Sequence, residues 1–289
     1  MLDGFSDQGA SLRGLRQAGA RLLLVVQNGE REAELVMLWH LCCALDELDY
    51  GVTALDGSAH ETQQSSGLLE CLRDGIWPAL ASSTRWSVMP AALGLHALTE
   101  QAEAPADAQD SLGHAFVDSD ALVTYANVST LIRLLAGSEA RLLLMVQPEA
   151  RSVLNTYQTV KYLHAAGLRV SVATLVDERD AAQTARARQA HDSLRACVRQ
   201  HLSQDIESLL IRYPSSLLWP TEDICGLALR LMETAVQLGG AGLPRTGPAP
   251  LSAREAVKHT EDPPAPRLSR AAQPSATAQG HSQGHPQGH

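Results

Sequence analysis

The stretch RLLLVVQNGEREAELVMLWHLCCALDELDYGVTALDG, residues 21–57, decides the fold. It reads as strand, loop, helix, strand. RLLLVV is a continuous apolar run of strand length, the pattern of a parallel strand buried on both faces. Residues 31–48 have helical length and composition, and Gly51 follows them. YGVTALDG is a second strand that ends at Asp56. A strand, a helix and a second strand make a βαβ unit, which implies a parallel sheet with a right-handed crossover. The loop that opens the helix is QNGEREAE, with one glycine, no lysine and three glutamates. Loops at this place often hold a phosphate, and this one is acidic.

The pattern repeats farther along. RWSVMP is a strand candidate, and AFVDSDALVTYA holds one or two short strands, with the polar stretch of residues 100–113 before it read as a loop. STLIRLLAG is a helix. ARLLLMVQPEA is another buried strand whose exit loop begins at Gln147, and RSVLNTYQTVKYLHAAG is an amphipathic helix stopped by Gly167. LRVSVATLVD is a β-branched strand, a long helix covers about residues 178–202, and SLLIRYP is a last strand candidate. TEDICGLALRLMETAVQLGG is a helix with Thr221 as N-cap, acids in its first turn and glycines at its end. Four or five buried strands separated by helices predict an α/β, three-layer, doubly wound, mostly parallel sheet. Its ligands would sit at the carboxyl ends of the strands, at residues 27–33, 56–58, 118–121 and 147–150.

Composition narrows the function. The chain has 289 residues, 45% hydrophobic, and a net charge of −9. Residues 241–289 hold five basic and three acidic residues, so the body before them carries −11. The only lysines are Lys161 and Lys258. Such a body is a poor nucleic-acid binder, because phosphate contacts need clustered cations. Five cysteines without a CxxC pair fit a reduced, cytoplasmic chain. The polar N-terminus is no signal peptide, and no apolar run reaches the roughly 18 residues of a membrane span. Eight of the fourteen prolines lie in the tail of residues 241–289, which is expected to be disordered. Its His281, His285 and His289 are four apart, but intervening glycines and Pro286 forbid the helix that would align them on a metal.

Residues 21–57 resemble the start of a MinD/ParA-type P-loop ATPase, which has a strand, a KGGxGK[ST] loop, a helix and a strand ending in Asp. Aligned without gaps, the signature lysine falls on Gly29, the second lysine on Glu34 and the Ser/Thr on Leu35. Asp56 matches the aspartate. The segment ARLLLMVQPEARSVLNTYQTVKYL resembles the family's VVTTPEPTAITDAYALIKLL, with Pro148, Glu149, Tyr157 and Lys161 in register. That form is typical of the flagellar-number regulators FlhG (FleN, YlxH). Those proteins begin with a DQAxxLR helix, and this chain has DQGASLR at residues 7–13. In the family that helix activates FlhF, a GTPase of the signal-recognition-particle type. The resemblance thus implies three segments: a partner-activating helix at 1–18, a MinD/FlhG-like α/β domain at 19–240, and the tail at 241–289.

The residues permit only part of that family's chemistry. A phosphate loop needs converging backbone N–H groups, a Lys at the β and γ phosphates and a Ser/Thr on magnesium. Asn28 and Gly29 can form one tight turn, but Glu30, Glu32 and Glu34 would sit where phosphates belong. The bland alternative is a solvated helix start with glutamates favoured by the helix dipole. Asp56 is either a relic of a magnesium-linked aspartate or a strand-end turn in DGS. Asp118 lies where the family has a D-x-x-G switch, without the glycine. The degenerate nucleotide site is therefore Asn28, Gly29, Glu34, Asp56, Asp118 and Pro148, with no catalytic residue and no metal ligand. No cofactor is expected; ATP and magnesium would belong only to a retained site. The partner-binding candidates are Asp7, Gln8, Leu12 and Arg13. Gln8 would reach into the GTPase site and Arg13 would pair with phosphate or acid.

These expectations define a pseudo-ATPase regulator of flagellum biosynthesis or placement. It would be cytoplasmic, act through an FlhF-type GTPase and flagellar switch or transcriptional regulators, and reach a pole or membrane only through partners. It would bind no nucleic acid and insert in no membrane. The helix near residues 223–238, with one Arg against two acids, would pack on the sheet. The alternatives are an active, unorthodox MinD/ParA-type ATPase and a MinD/ParA-like scaffold in polysaccharide secretion or partition. Oligomeric state is left open.

Overall fold

The computed structural model describes residues 19–62, 66–75, 86–176, 181–212 and 220–239. The DQGASLR segment and the tail lie outside these residues. The described chain runs β1 (Arg21–Val26), α1 (Arg31–Glu47), β2 (Val52–Asp56), α2 (Leu68–Asp74), β3 (Trp86–Pro90), α3 (Ala92–Gln101), α4 (Pro105–Ala115) and β4 (Ala121–Ala126). It continues through α5 (Val128–Leu135), β5 (Arg141–Val146), α6 (Ala150–Ala165), β6 (Arg169–Val176), α7 (Ala181–Leu202), β7 (Glu207–Arg212), α8 (Glu222–Thr234) and β8 (Val236–Gln237).

Seven strands form a parallel sheet in the order β3-β2-β4-β1-β5-β6-β7. The uninterrupted apolar runs occupy its middle, where both faces are covered. Alternate residues of β1 divide between two cores: Leu22, Leu24 and Val26 face one side, Leu23 and Val25 the other. The first core is closed by α2 to α7 and the second by α1 and α8. This is the three-layer, doubly wound architecture read from the sequence. Among the described residues no helix is long and apolar enough to cross a membrane.

Three local expectations change. Residues 105–115 are a helix and not a polar loop. Pro105 suits its first turn, and the Asp107 carboxylate accepts from the Ala104 N–H at 2.9 Å. The strand in AFVDSDALVTYA therefore begins only at Ala121, and residues 118–120 precede it. Finally, Thr221 caps α8, its hydroxyl accepting from Ile224 N–H, but the helix stops at Thr234. Val236 and Gln237 then pair antiparallel with Leu22 and Arg21. β5 contacts only residues 24–26 of β1, so the lower half of that edge is open to β8. Ile224, Leu227 and Leu231 pack on the sheet as predicted, while Leu238 crosses into the opposite core.

One core residue works against stability. His40 on α1 is fully buried, and neither ring nitrogen has a hydrogen-bond partner among the described residues. Burial lowers its pKa. Below about pH 6.5 the unfolded chain takes up a proton that the folded chain resists, so stability falls as pH drops through that range. His40→Met should raise stability at pH 7 by about 1 kcal/mol, by removing a desolvated polar ring. It should also flatten the decline between about pH 7 and 5. Urea denaturation at both pH values checks this; an equal decline in both proteins would refute it.

Candidate functional site

The carboxyl end of β1 lies between those of β4 and β5, where strand order reverses and doubly wound sheets place their ligands. The loop leaving β1 turns at Gly29, whose φ of +95° is a conformation that side chains disfavour. That turn aims the loop's backbone N–H groups at a common point. The group at that point is a side chain of the chain itself. Glu34 Oε1 accepts from Asn28 N–H at 3.0 Å and from Glu30 N–H at 3.1 Å. Its other oxygen, Oε2, accepts from the Tyr125 hydroxyl of β4 at 2.5 Å.

Glu34 is 1% exposed, which corrects the reading of these glutamates as a solvated helix start. Glu32 is exposed and fits that reading; Glu34 has turned inward. Tyr125 is also buried. Its phenol is pushed well above the ordinary range, first by burial and then by its hydrogen bond to Glu34. It thus stays protonated and donates.

Asn28 fixes the loop from the other side. Its amide Nδ2 donates to the Thr156 hydroxyl at 2.7 Å and to the Met145 carbonyl at 3.3 Å, and its Oδ1 accepts from the Thr159 hydroxyl at 3.1 Å. The loop is therefore tied to β5 and α6 by the Asn28 side chain and to α1 and β4 by Glu34.

Asp56 makes the tight turn of the DGS reading. Its Oδ1 accepts from both the Ser58 N–H, at 2.8 Å, and the Ser58 hydroxyl, at 2.6 Å. Arg31 Nε donates to the same hydroxyl at 3.1 Å, linking the start of α1 to the end of β2. Glu61 does at the next helices what Glu34 does at α1. It accepts from Leu69 N–H at the start of α2 and from Leu93 and Gly94 N–H at the start of α3. Two internal carboxylates thus occupy the N-termini of three helices at this edge.

The sequence-selected residues separate accordingly. Asn28, Gly29, Glu34 and Asp56 share this edge, and Pro148 lies in the turn between β5 and α6. Asp118 does not join them, because α4 extends to Ala115 and leaves residues 118–120 at the amino end of β4. Neighbouring Asp120 accepts from Gly51 N–H at 2.8 Å, joining β4 to the start of β2 there. Asp7, Gln8, Leu12 and Arg13 lie outside the described residues. Sequence reasoning missed Tyr125, Thr156, Thr159 and Glu61, whose roles depend on tertiary placement. No group of His, Cys, Asp and Glu that would hold a metal ion occurs among the described residues.

No family model matches the chain, and neither does any curated protein. Solved structures do resemble it. The MinD cell division protein of Aquifex aeolicus is 12% identical, with a TM-score of 0.49 over 76% of this chain and 100% of that one. A ParA family ATPase from Chlorobium tepidum TLS is 12% identical, with a TM-score of 0.46 over 73% of this chain and 98% of that one. An ATP complex of McdA from Cyanothece is 13% identical, with a TM-score of 0.46 over 74% of this chain and 88% of that one.

Proposed function

We propose that this chain is a nucleotide-free, FlhG-like regulator that acts through protein partners, among them an FlhF-type GTPase. The observation that carries the reading is the Glu34 carboxylate on the Asn28 and Glu30 N–H groups. Those are the donors a phosphate would use, and a phosphate entering there would meet a buried carboxylate. No lysine lies in the loop to offset either charge. The loop is instead a fixed structural joint. The regulatory activity then belongs to the DQGASLR segment, with Gln8 and Arg13 as the groups offered to the partner and Asp7 and Leu12 beside them. Flagellum biosynthesis or placement is the process that this segment supports.

Two measurements test the reading together. An ATP site saturated a thousandfold would stabilise the fold by about 4 kcal/mol, or roughly 10 °C in Tm. The expected shift with millimolar ATP and magnesium is none, and a clear rise would overturn the nucleotide-free assignment. GTP hydrolysis by the cognate FlhF is expected to rise on adding a peptide of residues 1–20, and to lose that rise with Gln8→Ala. Absence of stimulation would remove the flagellar role.

A further inference from the structure

Glu34 sits in the first turn of α1 and reaches back past the helix start. An ordinary first-turn carboxylate takes the N–H of the cap residue at the surface. Glu34 takes more: the Glu30 N–H, the Asn28 N–H two residues upstream, and the Tyr125 hydroxyl from β4. Donors from a loop, a helix start and a strand thus meet on a side chain that is 1% exposed. Burying a carboxylate costs more than burying an amide. A glutamine could accept from the same two N–H groups without charge. The charge is offset only where the surroundings are electropositive, and N–H groups converging at the positive end of a helix supply that. By its donors, the pocket around Glu34 is an anion cradle, and the anion in it is covalently attached to the chain.

A neighbouring helix start follows the same plan. Glu61 Oε1 accepts from Gly94 N–H at 2.8 Å and Oε2 from Leu93 N–H at 2.8 Å, both at the start of the ten-residue α3. A Cβ at Gly67 would collide with the Glu61 stem, so the glycine leaves that carboxylate its room. At the Glu34 cradle, the turn residue Gly29 is exposed, and a Cβ there would meet nothing closer than 4.0 Å. The cradle therefore lies beneath an exposed and uncrowded turn, and what fills it is the Glu34 side chain.

We propose that Glu34 is a tethered ligand, the permanent occupant of a latent oxyanion site, and that the site takes a free carboxylate or phosphate once the side chain is removed. The proposal rests on the nucleotide-free reading above and adds its regulation. The filled conformation of the β1–α1 loop is held from within, by Glu34 on one side and Asn28 on the other. The loop then has one state, and no anion in solution switches it.

The test compares full-length wild type, Glu34→Ala and Glu34→Gln in sodium acetate, sodium phosphate and sodium chloride at matched ionic strength. Glu34→Ala vacates the cradle, and Glu34→Gln keeps it filled by a neutral group. At an anion concentration ten times its dissociation constant, the Tm of Glu34→Ala is expected to rise by about 3–5 °C more than that of the other two proteins. The comparison removes the general stabilisation that excluded salts give any fold. Amide exchange at residues 28–34 should quicken in Glu34→Ala and slow again with acetate or phosphate, while that of wild type stays unchanged with phosphate. If Glu34→Ala does not fold in chloride, the same expectation becomes refolding that depends on acetate or phosphate. Stabilisation by either anion, confined to Glu34→Ala, supports the tethered ligand. Equal shifts in all three proteins, no recovery of Glu34→Ala by either anion, or wild-type exchange that responds to phosphate would overturn it. Failed recovery leaves the nucleotide-free reading standing, whereas a wild-type Tm rise with ATP and magnesium removes that reading and the single-state loop with it.

Discussion

Glu34→Ala is expected to lower the unfolding free energy by about 4 kcal/mol. The substitution removes the acceptor of three donors at once: Asn28 N–H, Glu30 N–H and the Tyr125 hydroxyl. A buried donor left without a partner costs about 1–3 kcal/mol, and charge-assisted bonds lie at the upper end. Asn28 and Tyr125 are buried and bear that penalty, while the Glu30 N–H is only partly buried and recovers some from water. In a domain of this size the loss amounts to roughly 10 °C in Tm. Tyr125→Phe orphans no donor and keeps both loop N–H bonds, so it should lose only about 1–2 kcal/mol. Urea unfolding followed by circular dichroism ranks the two. A Glu34→Ala protein within about 1 kcal/mol of wild type would mean that the carboxylate is not what holds the loop.

The same network sets a behaviour at high pH. Tyr125 has its folded pKa raised above the ordinary phenol value by burial and by Glu34. Its contribution is intact below about pH 10 and declines above it, as the unfolded chain releases a proton that the folded chain keeps. The Tyr125 phenol should then fail to ionise until the chain unfolds.

Strands and site residues differ in how far the sequence reveals them. RLLLVV and RLLLMV are legible because central parallel strands are buried on both faces and carry no polar residue after the first, and VTALD is interrupted only by Thr53 before its terminal Asp56. The edge strands WSVMP and ESLLIR are half exposed, and their mixed pattern reads only as a possibility. The helix at residues 105–115 is polar along most of its length, so its signals are the starting Pro105 and Asp107 rather than periodicity. β8 has no local signal at all; two residues become a strand because β1 leaves donors and acceptors open beside them. In the site, Asn28-Gly29 is visible as a turn, and the acidity of the loop is visible as a conflict with phosphate. The resolution of that conflict is not visible. It depends on Tyr125, 91 residues away from Glu34, and on α6 bringing Thr156 and Thr159 to Asn28. A lone sequence records that Glu34 is acidic, and only the fold records which donors surround it.

Asn28→Asp is the sharpest test of that surrounding, because it changes almost no volume. The native amide donates to the Met145 carbonyl and the Thr156 hydroxyl and accepts from Thr159. An ionised aspartate can only accept. It would face the Met145 carbonyl with a second oxygen and leave Thr156 to reverse its hydroxyl. It would also bury a charge at a position 5% exposed, on the residue whose own N–H is bound to the Glu34 carboxylate. Unpaired buried charge and like-charge proximity add to the lost donor bonds, for an expected destabilisation of about 3–5 kcal/mol. Asn28→Ala removes the same bonds without introducing charge, and should lose about 2–3 kcal/mol. The near-isosteric variant is thus expected to be the worse of the two. In the double variant Asn28→Asp with Glu34→Gln, part of the loss should return, since the repelling carboxylate is gone; a coupling of about 1 kcal/mol or more in the cycle would measure it. If Asn28→Asp proved as stable as wild type, the amide's donors would not be what joins the loop to β5 and α6. The case for a loop fixed by its own side chains would then fail with it.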